Sequence, residues 1–230
     1  MGEVINRREW GARNPRCQEA LPVSSTKGIA VHYSGTMAEA DMDGGSVMRS
    51  HQRYHMDTKG WCDIAYTGEF NDEGERYEGR GFGKRTAANG TNKGNDDYYA
   101  FCFQGADKAG RDDVGPKGRM ALAEFIYDYQ KAASGRMPIV KPHSDFTSTA
   151  CPGDELRAYI ATKGWLVEKP GTKKYPKFFF LFAQWYLGEG KFETFGPHNY
   201  SVRPHQLPGR FTPQNAVLLA ALRRFVKNRK

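Results

Sequence analysis

Long apolar runs are missing from this chain of 230 residues: the longest is residues 178–183, and no stretch of 18 apolar residues exists to span a bilayer as a helix. Residues 1–10 lack the charged-then-apolar order of a secretory leader, so no signal of its own for crossing a membrane is expected. No internal repeat, low-complexity tract or nucleic-acid motif occurs, and nucleic acid is therefore not an expected partner despite the basic balance. Cysteine is scarce, with four residues, Cys17, Cys62, Cys102 and Cys151. Four would make two disulfides in a secreted domain, but without a secretion signal that arithmetic loses its force. Cys62 and Cys102 sit in apolar, strand-like sequence and are expected to be buried thiols. An oxidised pair among Cys17, Cys62 and Cys102 is the minority alternative.

What is present suffices for a substantial core, since 39% of residues are hydrophobic and 13% aromatic. The length also admits a small second unit, and charge marks where it begins. Residues 1–165 hold 22 Lys and Arg against 23 Asp and Glu, net −1, while residues 166–230 hold 12 against 3, net +9. Between them residues 166–177 are short of apolar side chains and rich in Pro, Gly and charge, as an exposed linker is. Two domains are expected, 1–165 and 178–230. In the second, residues 176–187 and 212–228 read as helices, the latter with Thr212 at the cap and Pro213 at its first position.

In the first domain residues 27–33 read as a buried strand and residues 46–56 as a helix returning across a sheet. Residues 62–70, 75–79 and 98–104 read as further strands. Residues 118–134 carry Leu122, Phe125, Ile126, Tyr129 and Ala133 on one helical stripe, with Gly135 placed to end it, and residues 153–162 form a shorter helix. The expected fold is α/β, a mixed central sheet flanked by helices, with a small, mainly helical C-terminal domain.

Three metal-ligand types stand out: His32 at the end of the run Ile29-Ala-Val-His32-Tyr, and His143 and Cys151 in one loop. Two imidazoles and a thiolate leave a tetrahedral zinc one open position, the pattern of a catalytic site. Alone, His32 reads as a satisfied core histidine and Cys151 as a buried thiol. His51 and His55, four apart on one helix face, also have metal-ligand spacing.

Several short stretches occur in one order: Ile5-Asn-Arg-Arg-Glu-Trp10-Gly-Ala, Ala30-Val-His32-Tyr-Ser, His55-Met, Gly60-Trp-Cys-Asp63-Ile-Ala-Tyr66, Tyr77-Glu-Gly-Arg80-Gly-Phe and Thr149-Ala-Cys151-Pro-Gly. In that order, over roughly residues 3–165, the chain resembles the type 2 N-acetylmuramoyl-L-alanine amidases and peptidoglycan recognition proteins, including phage lysozymes of amidase activity. The resemblance implies an amidase/peptidoglycan-recognition-protein-like fold, a zinc ion (Zn2+) on His32, His143 and Cys151, and bacterial peptidoglycan as substrate. It further implies catalytic roles for Tyr66 and Thr149, and substrate contacts from Arg80, Asn92 and His55, the last as a groove-wall residue rather than a ligand. Phage members often carry lysine where Thr149 stands, and the family usually places a histidine shortly before the groove asparagine, where this chain has Ala88.

The expectation is a phage-type endolysin: a monomeric zinc amidase, made in the host cytoplasm and reaching the wall through a hole made by another protein. Its basic tail is expected to bind anionic wall polymers. Two rivals stand beside it, a recognition module that holds peptidoglycan without cutting it and a peptide-stem endopeptidase on the same zinc. Such non-cutting members typically lose the cysteine ligand, which is present here.

Overall fold

The computed structural model describes residues 3–36, 42–106 and 114–166. Along the chain the described elements are β1 (Ala20–Leu21), β2 (Gly28–Tyr33), α1 (Gly44–Arg53), β3 (Gly68–Phe70), β4 (Arg76–Glu78), β5 (Gly83–Lys84), α2 (Asn92–Asp97), β6 (Tyr98–Phe103), α3 (Pro116–Ala132), β7 (Ile139–Pro142) and α4 (Asp154–Ala161). Five strands form one sheet in the order β4-β3-β6-β2-β7, and β1 pairs with β5 apart from it. β2 runs parallel to both β6 and β7, β3 parallel to β6, and β4 antiparallel to β3, so the sheet is mixed, as the sequence predicts.

Strand side chains alternate between faces, and here the two faces differ in chemistry. Ile29 and Val31 of β2, Tyr99, Phe101 and Phe103 of β6 and Phe70 of β3 pack with Leu122, Phe125, Ile126 and Tyr129 of α3 into the main core. Each such side chain, fully buried, contributes roughly 1.5–3 kcal/mol. Of the alternate positions, His32 and Glu69 are equally buried yet polar, with the buried thiol of Cys102 between them. They lie on the opposite face, and a smaller cluster of Trp10, Met48, Ile64 and Tyr77 ties α1 and the N-terminal segment to the rest of the fold. At the β2–β7 seam Gly28 is required by proximity, because a Cβ there would sit 1.9 Å from the Ile139 carbonyl oxygen.

Helix α1 starts where Asp43 accepts a hydrogen bond from the Ser46 N–H at 2.8 Å. It gives way after Arg53 to a π-helical turn, Tyr54–Thr58, which turns His55 and Met56 inward. The helix expected over residues 46–56 therefore forms, its last turn π rather than α, a departure of a kind frequent at functional sites. Two expectations need correction. Of the strand expected over residues 62–70 only Gly68–Phe70 forms, because the Asp63 carboxylate accepts from its own neighbour's N–H (Ile64, 2.8 Å) and from Gln52 (2.7 Å), bending that stretch into a loop. Cys62 is not a thiol: it is disulfide-bonded to Cys17 with Cα atoms 5.0 Å apart. With residues 62–67 out of the sheet, the N-terminal segment runs alongside, and the Arg16 N–H donates to the Cys62 carbonyl at 2.8 Å. Cys102 is a buried thiol, as expected.

The polar segment 81–97, whose composition suits a mobile loop, contains β5 and α2, the latter capped by Thr91, which accepts from the Gly94 N–H at 3.0 Å. Among the described residues no helix is long and apolar enough to cross a membrane. The expected linker beyond Leu166 and the two tail helices lie outside the described residues.

Candidate metal centre

The parallel register of β2 and β7 sets Val31 opposite Pro142, so the next residues, His32 and His143, leave the carboxyl edge of the sheet side by side. Their ring centroids are 4.2 Å apart. Cys151 arrives from the loop before α4, where its Sγ lies 3.9 Å from His32 Nδ1 and accepts from the Tyr33 N–H at 3.3 Å. One ligand atom from each of the three residues lies within 4.8 Å of the others. A tetrahedral zinc wants such atoms roughly 3.5 Å apart, which small side-chain adjustments reach.

The electrostatics suit a metal. Burial, then the neighbouring His143, lowers His32 to about 3, and burial also lowers His143, so both imidazoles are neutral with a lone pair to give. Burial raises the Cys151 thiol to about 12, against the Tyr33 N–H and Arg157, so in the metal-free protein it keeps its proton, which an ion would displace. Nε2 of His143 is buried with no hydrogen-bond partner. Leaving a buried donor or acceptor unsatisfied costs about 1–3 kcal/mol, and a coordinated ion would supply what the protein does not. The donor set of two nitrogens and one sulfur fits zinc.

Tyr66 stands beside this cluster, its ring 5.5 Å from His32 and 5.6 Å from His55. Burial, then Cys102, Glu69 and Cys151, holds its hydroxyl proton well above the usual tyrosine range. Thr149 lies two residues before Cys151 and accepts from the Cys151 N–H at 3.2 Å, which leaves its own hydroxyl proton to donate. His55 stacks on the ring of Trp61, centroids 5.2 Å apart, and its Nδ1 accepts from the Ala65 N–H at 3.2 Å. His51, its partner in helical spacing, pairs with Glu69 instead of a metal, with Nδ1 2.9 Å from both carboxylate oxygens.

Two expected substrate contacts are placed differently. Arg80 directs its guanidinium at backbone carbonyls, Ile64 at 2.6 Å and Arg85 at 2.7 Å, so its fork braces the loop before β3 instead of standing open to a carboxylate. Asn92 begins α2, exposed, and accepts from Arg85 at 3.3 Å. The asparagine that reaches the cluster is Asn89, wholly buried, with Oδ1 2.9 Å from His32 Nε2. Sequence reasoning missed it because Asn-Gly in a polar stretch signals a turn, and nothing in the local pattern marks a partner 57 positions away. A cavity of about 550 Å3 lined by Val4, Phe82, Phe101 and Phe125 includes none of the expected site residues.

A mixed sheet delivers two imidazoles and a thiol from the carboxyl edges of its parallel strands and the following loop, the arrangement that the resemblance to the amidase/peptidoglycan-recognition-protein fold implies. Comparison with known proteins agrees. No protein-family model matches the chain. It is 27% identical over 163 residues to peptidoglycan-recognition protein SC1a/b of Drosophila simulans, covering 70% of this chain and 85% of that protein. It is also 27% identical over 161 residues to peptidoglycan recognition protein 1 of Bos indicus, covering 69% and 83%. Among solved structures it is similar to bumblebee PGRP-SA, with a TM-score of 0.61 at 26% identity over 72% of this chain and 96% of that one. It is similar too to a point variant of Drosophila PGRP-LB in complex with tracheal cytotoxin, with a TM-score of 0.61 at 25% identity over 70% and 94%. The chain is similar in sequence to the peptidoglycan recognition proteins and shares their fold.

Proposed function

We propose that this protein is a zinc-dependent N-acetylmuramoyl-L-alanine amidase, hydrolysing the amide between the lactyl group of N-acetylmuramic acid and L-alanine in bacterial peptidoglycan, and that it serves a phage as its endolysin. The observation that carries this reading is the convergence of His32, His143 and Cys151 within 4.8 Å of one another, all three uncharged when metal-free. Kinship points to the substrate class: the relatives are named for peptidoglycan recognition, and one solved neighbour holds tracheal cytotoxin, a monomeric diaminopimelic acid-type peptidoglycan. On the endolysin reading the enzyme waits in the host cytoplasm until a separate membrane-permeabilising protein lets it reach the wall.

His32, His143 and Cys151 would hold the ion, which when bound supplies Lewis acidity toward an amide carbonyl and acidifies water. The chain's own residues do the rest. Tyr66, kept protonated by its surroundings, is a hydrogen-bond donor and orienter and not a general base. Thr149, anchored on the Cys151 N–H, directs its hydroxyl as a neutral donor to the oxyanion of the tetrahedral state. A neutral donor stabilises that charge less than a cation does.

The names of the relatives favour a second reading, a recognition module that binds peptidoglycan uncut. Zinc analysis and digestion of defined muropeptides separate the readings. The amidase binds one zinc per chain and releases intact stem peptides with a free N-terminal alanine. Chelation or Cys151→Ala lowers turnover at least ~100-fold, the loss of several kcal/mol of transition-state stabilisation. Full turnover by metal-free protein rejects the zinc mechanism, binding without products favours the recognition module, and products cut within the stem identify an endopeptidase.

A further inference from the structure

The turn that departs from the family pattern, residues 86–92, is the one that reaches the candidate metal centre. Asn89 is wholly buried, and its amide can face only one way. Nδ2 donates to the carbonyls of Gly94 and Tyr98, both at 2.9 Å, so a flipped amide would set its oxygen against two acceptors. The loop is held independently of any ligand. The Asn89 N–H donates to Asn95 Oδ1 at 2.9 Å, and the Thr86 hydroxyl donates to the Ala65 carbonyl at 2.8 Å.

With the amide so fixed, Oδ1 is what meets His32 Nε2 at 2.9 Å, and an acceptor there requires the imidazole proton on Nε2. The other nitrogen, Nδ1, is the one beside Cys151 Sγ, at 3.9 Å. We propose that Asn89 is the positioning residue of the metal centre, locking His32 in the Nε2–H tautomer so that the Nδ1 lone pair is presented to a divalent ion beside Cys151. Outer-shell partners of ligand histidines act in this way, fixing tautomer and ring orientation. The same turn reaches the second imidazole through Gly90. Its φ is +72°, and a Cβ there would stand 3.0 Å from Thr147 Cγ2 and 3.5 Å from His143 Nε2. Asn89 and Gly90 together shape the outer surroundings of both histidines, which the preceding Ala88, with its methyl side chain, cannot do by hydrogen bonding.

This inference rests on the zinc reading above, and its test keeps the two apart. In the metal-free full chain, long-range 1H–15N correlation of the imidazoles reads the tautomer directly, and His32 is expected to carry its proton on Nε2. An Nδ1–H pattern, or a rapidly averaging mixture, overturns the proposal whether or not zinc binds. Calorimetric titration with zinc gives the second readout: Asn89→Ala is expected to weaken binding 10–100-fold and to let the His32 tautomers mix, with the amide spectrum otherwise preserved. Unchanged affinity in that variant also overturns it, and if the variant fails to fold the wild-type tautomer decides. Wild-type protein that binds no zinc sinks the metal reading while leaving the tautomer measurement intact.

Discussion

Buried imidazoles make this protein's stability a function of acidity. Burial foremost, then His143, lowers His32 to about 3; burial, then the charges of His51, Arg80 and Lys59, does the same for His55. Between pH 6.5 and 3 the unfolded chain binds protons at these two positions that the fold refuses, so stability is complete above pH 6.5 and declines as pH falls toward 3. At about 1.4 kcal/mol per pH unit for each group the loss is on the order of several kcal/mol, against a total of roughly 5–15 kcal/mol for a typical domain. Urea denaturation of the metal-free protein across pH 7 to 4 should show a steady fall in stability, and His55→Gln should flatten it. A pH-independent midpoint would contradict both assignments. At this scale the candidate ligands were legible because His and Cys carry their chemistry in their identity and sat in recognisable surroundings. Asn89 was not legible, since its role exists only through the folded neighbourhood of Gly94, Tyr98 and His32.

Between elements, the clearest unexpected interaction joins α1 to β3. Glu69 is wholly buried in mid-sheet, where its carboxylate meets His51 Nδ1 at 2.9 Å and accepts from Gln104 Nε2 at 3.1 Å. Such a pair is expensive to break and cheap to replace, because removing one partner strands the other in a medium of low dielectric, whereas two apolar side chains need no partner. Glu69→Leu or His51→Leu should each destabilise the fold by about 3–5 kcal/mol, and the double variant H51L/E69L should lose less than the two single losses added together. Equilibrium unfolding of the four proteins measures this coupling, and strictly additive losses would show that the pair does not act as a unit. β2 and α3 were legible because burial on the α3 face imposes a regular apolar period on Ile29 and Val31 and on Leu122, Phe125, Ile126 and Tyr129. Residues 62–67 misled because Ile64 and Tyr66 alternate as in a strand while Asp63, hydrogen-bonded to Gln52 and Ile64, holds them in a loop.

Over the whole molecule the two sides of one sheet differ in chemistry: an apolar face carries the main core with α3, and the opposite face holds the buried Glu69 and, at the carboxyl edge, the candidate ligand His32. Charge divides along the chain in a comparable way, since residues 1–165 are nearly neutral and residues 166–230 carry net +9. A segment near neutrality has little long-range attraction for an anionic wall, so the basic segment is the part of the sequence able to supply it. That attraction acts over a Debye length of only about 8–10 Å at 0.1–0.15 M salt, and salt should therefore tune it. Full-length protein carrying Cys151→Ala, so that walls stay intact, should co-sediment with purified walls at low salt and be released as salt rises. Replacing Lys173, Lys174 and Lys177 with Gln should shift release to lower salt while leaving turnover of a small soluble muropeptide by the otherwise native chain unchanged. If wall binding ignores both salt and these substitutions, attachment must come from residues 1–165, and the tail's charge has another role.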